Sequence, residues 1–190
     1  MRNLMSLLVV PVLSLTPMLA DAKEVDAGDF VSKRSEYVSL RPATTVELPA
    51  MRDSDRMSLL LADVTQTFYL GNWTGALVYA GGSLTGSSVP YPLPNPLNFS
   101  TPYYYSGAAQ ALVPSLTPWT QAFGYTTNPS DPSGAAKTCI WQIDVSVVNG
   151  ACTANITTTA YGTQGVSCIV DGASAVDPNT CQLFVGVGLQ

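Results

Sequence analysis

Not one histidine occurs in the 190 residues. That absence excludes Ser-His-Asp and Cys-His catalysis, histidine zinc sites and a proximal haem histidine. Charge is also scarce. Only 11% of residues are charged, less than half the ~25% usual in soluble domains. Past Arg56 the single cation is Lys137, and no glutamate follows Glu47. With a net charge of −5 and no cationic stripe to neutralise phosphates, a nucleic-acid partner is excluded. Beyond the leader described next, no uninterrupted apolar run reaches the ~18 residues that would read as a membrane span. The chain is nevertheless 46% hydrophobic, with 14 Pro and 15 Gly. That is too apolar for a solvated disordered chain, and the length fits about one domain.

The N-terminus predicts the compartment. Arg2 precedes an apolar run over 4–15, followed by Ala20-Asp21-Ala22. That order is a secretory signal peptide, 1–22, cut after Ala22. Pro11 and Pro17 break the run, and a spanning helix needs about 20 apolar residues. Lys33-Arg34 closes a polar, acidic stretch and is a dibasic processing signal, so 23–34 reads either as a pro-segment or as part of a surface loop. A chain starting at Ser35 has four cations against nine anions, again −5. Cys139, Cys152, Cys168 and Cys181 then predict two disulfides in an oxidising compartment. Sequons at Asn72, Asn98 and Asn155 are glycan acceptors where the asparagine is exposed. Together these signals lean to a eukaryotic, fungal secretory route and a secreted, extracellular protein. Bacterial export fits the same leader if the sequons are chance.

Residues 35–64 carry most of the charge and read as an N-terminal arm or edge segment, including the cluster Arg52-Asp53-Ser54-Asp55-Arg56. Residues 57–61 fit a short helix or the lead-in to a strand. From 65 to 190 the signals are β. β-Branched and aromatic residues predict strands over 65–70 and 75–79. The five prolines in 89–102 predict an extended connection, since proline withholds a ladder donor. The stretch 128–134 is a loop. Asn149-Gly150 is a type I′ hairpin signal. Pairing Val148 with Ala151 places Cys139, Trp141, Ile143, Val145, Val147, Cys152, Ala154, Ile156, Thr158 and Ala160 on one face. Polar residues fill the other, with Ile140, Val148 and Ala151 as exceptions. Two runs agreeing across one turn predict a half-buried antiparallel pair. Further strands are expected over 166–170 and 181–187. The fold class that follows is an all-β antiparallel sandwich with disulfides.

The cysteine spacing conflicts with this hairpin. Cys139 to Cys152 and Cys168 to Cys181 share a spacing of 13, which hints at two local loops. In the hairpin register, however, Cys152 faces Val147, eight residues from Cys139 and roughly 27 Å away at ~3.4 Å per residue. A disulfide needs Cα atoms within about 7 Å. Either the hairpin fails or the bonds cross between sheet segments, and the hairpin is preferred.

Little in the sequence points to bond-breaking chemistry. Asp53, Asp55, Asp63, Asp131, Asp144, Asp171 and Asp177 form no pair with a diagnostic spacing, and turn or surface duty is expected of each. Lys137 lies in a Gly/Ala/Thr stretch and reads as solvated rather than as a Ser/Lys base. An oxygen-ligand calcium site at Asp171 or Asp177 lacks EF-hand spacing. No catalytic residue, metal or cofactor is assigned. Among the aromatics, Trp141 belongs to the hairpin core. Trp73, Tyr103, Tyr104 and Tyr105 are the candidate binding residues, because three consecutive tyrosines in an extended segment cannot all point inward.

Asn72-Trp73-Thr74-Gly75-Ala76-Leu77 resembles the Asn-Trp-x-Gly-Ala start of the fungal glutamic peptidases (eqolisins), acid endopeptidases with a β-sandwich fold. The run Leu84-Thr85-Gly86-Ser87-Ser88-Val89-Pro90-Tyr91-Pro92 is similar to that family's following strand and Val-Pro-x-Pro turn. Trp141, Asp144, Cys152 and Ile156 fall near the family's later Trp, Asp, Cys and Ile segments, without matching residue for residue. The resemblance covers about half the chain. It implies a Gln/Glu dyad, yet Thr158 stands where the glutamine would fall and no glutamate follows Glu47. A threonine hydroxyl cannot replace the amide donor to an oxyanion in the same geometry. The expectation is therefore a secreted, non-catalytic β-sandwich acting at a cell surface, wall or host interface, a dyad-less relative of glutamic peptidases. Its partner is an unknown extracellular protein or a polysaccharide. The alternatives are an acid endopeptidase or other carboxylate-dependent hydrolase, and a carbohydrate-binding module.

Overall fold

The computed structural model describes residues 29–39, 41–51 and 62–190. The signal peptide, the 52–56 charge cluster with Asp53 and Asp55, and the segment 57–61 lie outside the described residues. Two sheets face each other. One runs β1 (Thr44–Glu47), β8 (Ala151–Tyr161), β7 (Thr138–Val148), β6 (Trp119–Thr126) and β3 (Tyr79–Gly81). The other runs β10 (Ala175–Val176), β11 (Leu183–Leu189), β2 (Asp63–Asn72), β5 (Gly107–Pro114) and β4 (Ser88–Tyr91), with β9 (Cys168–Val170) also on β11. The ladders are antiparallel except β2 with β11.

The β7–β8 hairpin has the register predicted from Asn149-Gly150. Val148 pairs with Ala151 and Val147 with Cys152, and both turn residues have positive φ, 54° and 77°, as a type I′ turn requires. The predicted apolar face is the inner one. Trp141, Ile143, Val145, Ala154 and Ile156 are all buried. Trp141 packs against Phe123 at 5.9 Å between ring centroids, and Phe123 against Phe68 of the opposite sheet at 5.5 Å. Burying each such ring contributes roughly 1.5–3 kcal/mol, and edge-to-face contact adds to that.

The disulfides join Cys139 to Cys168 and Cys152 to Cys181, each pair 29 residues apart. The hint of two local loops is thereby overturned, and the bonds cross between sheet segments. The first links β7 to β9. The second ties β8 to the turn ahead of β11, where Cys152 N–H also donates to Pro178 O. Cys168 and Cys181 therefore staple one sheet to the other.

Other expectations are refined. The strand expected over 75–79 is mostly a bend: Val78 makes an isolated bridge with Leu97, and the ladder with β6 begins at Tyr79. The proline-rich connection carries one short strand, β4, which lies at the sheet edge where Pro90 costs no central ladder bond. The stretch after the tyrosines, for which the sequence offers no clear element, forms β5 and β6. Within the expected arm, β1 is an edge strand on β8, while Asp63 and Val64 already belong to β2.

Candidate functional site

Strand alternation decides what the six-stranded sheet shows to solvent. In β2, Val64, Gln66, Phe68, Leu70 and Asn72 turn inward and are buried, leaving Tyr69 and Gly71 on the outer face with Trp73 just beyond. In β11, Val185, Val187 and Leu189 turn inward, leaving Phe184, Gly186 and Gly188 outside. The register sets Gly188 beside Gly71 and Gly186 beside Tyr69. The outer face thus has a floor of glycines in which aromatic rings lie. A Cβ on Gly71 or on Gly188 would come within 2.5 Å of the Trp73 indole. A Cβ on Gly186 would meet the Tyr105 hydroxyl at 2.2 Å. Tyr69 continues the row, with Tyr105 on one side at 5.4 Å and Phe184 on the other at 5.0 Å.

Between Trp73, Tyr103, Tyr105 and the β9 edge opens a groove of about 580 Å³, whose walls include Ile169, Val170, Val187 and Asp171. Three of the four predicted binding residues line it. Tyr104 contributes its backbone: its carbonyl accepts the Trp73 Nε1–H at 3.0 Å and the Ser100 hydroxyl at 2.7 Å. The tyrosines are not in an extended run, as the sequence reading assumed. Tyr103 has φ of 75° and Tyr104 N–H donates back to Thr101 O, so the chain turns and displays Tyr103 at 96% exposure.

Asn72 holds this corner together. Its side chain is 0% exposed. Its Nδ2 donates to Ala76 O at 2.7 Å and Leu97 O at 3.1 Å. Its Oδ1 accepts from Thr74 N and Thr74 Oγ1, and its backbone N–H donates to Ser106 Oγ. Asn72 does not meet the exposure condition set for a glycan acceptor: both amide hydrogens are engaged and the atom that would carry the sugar is buried. Asn98 and Asn155 are exposed. The Asn-Trp-Thr-Gly sequence works as a buckle, with Gly75 at φ 79°, and it fixes the direction in which Trp73 leaves the sheet.

Compared with known protein families, curated proteins and solved structures, the chain matches none. Its chemistry is read from its own groups.

One carboxylate faces the groove. Asp171 Oδ2 accepts the Tyr105 hydroxyl, and Oδ1 accepts Ala173 N–H at 2.9 Å. These bonds, Tyr105 foremost, hold the Asp171 carboxyl below its ordinary value against a smaller opposing effect of burial. Burial, then the bond to Asp171, raises the Tyr105 phenol well above the usual range. The pair is therefore a fixed carboxylate–phenol contact across neutral pH.

The other candidate acids have local duties. Asp63 accepts Ser87 Oγ, Asp131 accepts Gly134 N–H, and Asp144 accepts Thr120 Oγ1 and Gln142 Nε2. Buried Asp177 accepts Asn179 N–H and Thr180 Oγ1, closing the turn before β11. No cluster of three metal-ligating side chains occurs among the described residues. Lys137 is half-buried, and its N–H donates to Thr127 Oγ1. Thr158, where the peptidase resemblance would place a glutamine, is buried on the inner face of the other sheet and donates to Thr44 O at 3.4 Å. Sequence reasoning missed Asp171 as the partner of Tyr105 and the glycine floor. The alternation Phe184, Gly186, Gly188 carried that second signal.

Proposed function

We propose that this is a secreted, non-catalytic β-sandwich that binds neutral polysaccharide through the groove beside Trp73. The observation carrying this reading is the flat indole of Trp73, backed by Gly71 and Gly188 and tethered to Tyr104 O, next to Tyr105 and Tyr103. Rigid aromatic faces pack against the C–H faces of sugar rings, burying apolar area while leaving hydroxyls for polar groups at the rim. Asp171 supplies acceptor oxygens there. An anionic ligand is disfavoured by that carboxylate and by the net charge of −5. The two disulfides and the absence, among the described residues, of a helix long and apolar enough to cross a membrane fit an extracellular setting. The Asn72–Leu77 resemblance fits a relative of glutamic peptidases that kept the tryptophan and lost the dyad.

The test is retention of the purified chain on insoluble chitin, β-glucan and cellulose, with Trp73→Ala beside it. Retention on at least one matrix, lost in the variant, is expected. Retention on none overturns the reading. Cleavage of denatured casein in acid buffer, abolished by Trp73→Ala, would replace it with a peptidase.

A further inference from the structure

The outer face of the five-stranded sheet is polar over most of its area, presenting Thr120, Gln142, Asp144, Ser146, Thr153 and Asn155. One corner differs. Gly81 of β3 and Gly124 of β6 are cross-strand partners, and Gly124 pairs on its other side with Ile140 of β7. This Gly–Gly–Ile row makes an apolar socket, and it is occupied. The Phe30 ring lies where a Cβ on Gly81 would be, 2.1 Å from that position, and 3.1 Å from the corresponding position on Gly124. Phe30 is 3% exposed and Val31 7%, and they form a small separate core with Ile140 and Tyr161. Ile140 was an apolar exception on the wet face of the predicted hairpin, and this contact accounts for it.

Both anchors lie just upstream of Lys33-Arg34, the sole dibasic pair in the chain. That pair sits in a 3₁₀ turn. Glu36 N–H donates to Lys33 O, and Tyr37 N–H donates to Arg34 O. Tyr161 Oη also donates to Arg34 O at 3.4 Å, and the Arg34 guanidinium donates to Gln142 Oε1. The carbonyl of the Arg34–Ser35 bond is thus hydrogen-bonded twice, whereas an endoprotease needs it free in an extended strand. Cutting the Arg34–Ser35 bond removes the covalent link that keeps the Phe30–Arg34 contacts at high effective concentration, so the segment then dissociates far more readily.

We propose that Phe30–Val31 is a plug. While docked it keeps Lys33-Arg34 in a protease-resistant turn. When an external dibasic endoprotease hydrolyses the Arg34–Ser35 amide, water supplying the new carboxylate and amine, the plug leaves a socket that accepts the phenyl ring of a peptide such as the released 29–34 segment.

The full chain, Phe30→Ala and Gly81→Ala are treated with a Lys-Arg-directed endoprotease under native conditions, and the cut is located by mass. The three nearest atoms to a methyl on Gly81 all belong to the Phe30 ring, so Gly81→Ala unseats the plug without needing the sheet to move. Both variants are expected to be cut at least tenfold faster than the parent. Equal rates, including no cutting in any of the three, overturn the proposal. So does loss of the folded state in both variants, which would make Phe30 a core residue. The cut protein is then titrated with a fluorescent peptide of residues 29–34. Saturable binding is expected, at least tenfold weaker for the uncut chain and for a peptide carrying Phe30→Ala. Binding that ignores the cut or the phenyl ring contradicts the socket.

Discussion

Trp73 Nε1–H donates to the carbonyl oxygen of Tyr104 at 3.0 Å, joining the end of β2 to the tyrosine turn. This bond makes one surface of two segments that are thirty-one residues apart. It also ties up the indole N–H, so the polar edge of Trp73 is already satisfied within the chain.

Glycine backing is required for that pose. Gly188→Ala or Gly71→Ala would drive a methyl into the indole from 2.5 Å. Each is expected to cut polysaccharide retention at least tenfold. The accompanying stability loss is about 1–3 kcal/mol, the usual range for overpacking. Retention assays and denaturant midpoints on the same preparations check both numbers, and unchanged retention would mean the indole is not the binding surface.

Asn72 is expected to be a structural hub rather than a glycan carrier. Glycopeptide mapping of chain secreted from a glycosylating host should find sugar on Asn98, Asn155 or both, and none on Asn72. Asn72→Ala strands buried donors and acceptors and should lower stability by about 2–4 kcal/mol, read by chemical denaturation. Because the buckle aims Trp73, groove binding should fall in the same variant.

The Asp171–Tyr105 contact predicts a pH dependence of definite sign. The folded-state carboxyl is depressed below its ordinary value of 3.8. Its stabilising effect is therefore complete above that value and is lost as pH falls through the lower, folded one. Tyr105→Phe removes the main cause of the depression. The Asp171 titration followed by carboxyl NMR should then move up toward the ordinary value. No movement would show that the phenol does not hold the carboxylate.

Disulfide pairing was the point at which sequence and geometry disagreed, and the hairpin register decides it. Non-reducing peptide mapping should recover 139–168 and 152–181, never 139–152. Each bond closes a span of 29 residues, for which loop-closure entropy gives about 3–4 kcal/mol. Replacing Cys152 and Cys181 together by alanine should cost about that much. Cys168 is half-buried while Cys152 and Cys181 are buried, so mild reductant should open the 139–168 bond first.

The sandwich was legible because its signals are local and periodic. Asn149-Gly150 sets one register, and alternation across ten residues on each side confirms it. The groove was legible only in part. Trp73 and the tyrosines stood out as aromatics without a core assignment, but their convergence depends on the antiparallel pairing of β2 with β5, and the glycine floor beneath them on the parallel pairing of β2 with β11, which brings together residues more than a hundred positions apart. The burial of Asn72 was not legible, because a sequon reports acceptor chemistry and not burial. The strand expected over 75–79 failed because Asn72 and Thr74 offer the backbone a competing set of side-chain hydrogen bonds.

If sugar binds on the Trp73 face, the indole itself reports it. NMR of the three indole N–H signals, with Trp73→Phe for assignment, tests it during titration with soluble chitin and glucan oligosaccharides. One of these series is expected to shift the Trp73 signal and the Tyr105 ring in parallel and to leave buried Trp141 unmoved. Saturable binding that moves other residues and spares Trp73, or no shift with any oligosaccharide, would contradict it.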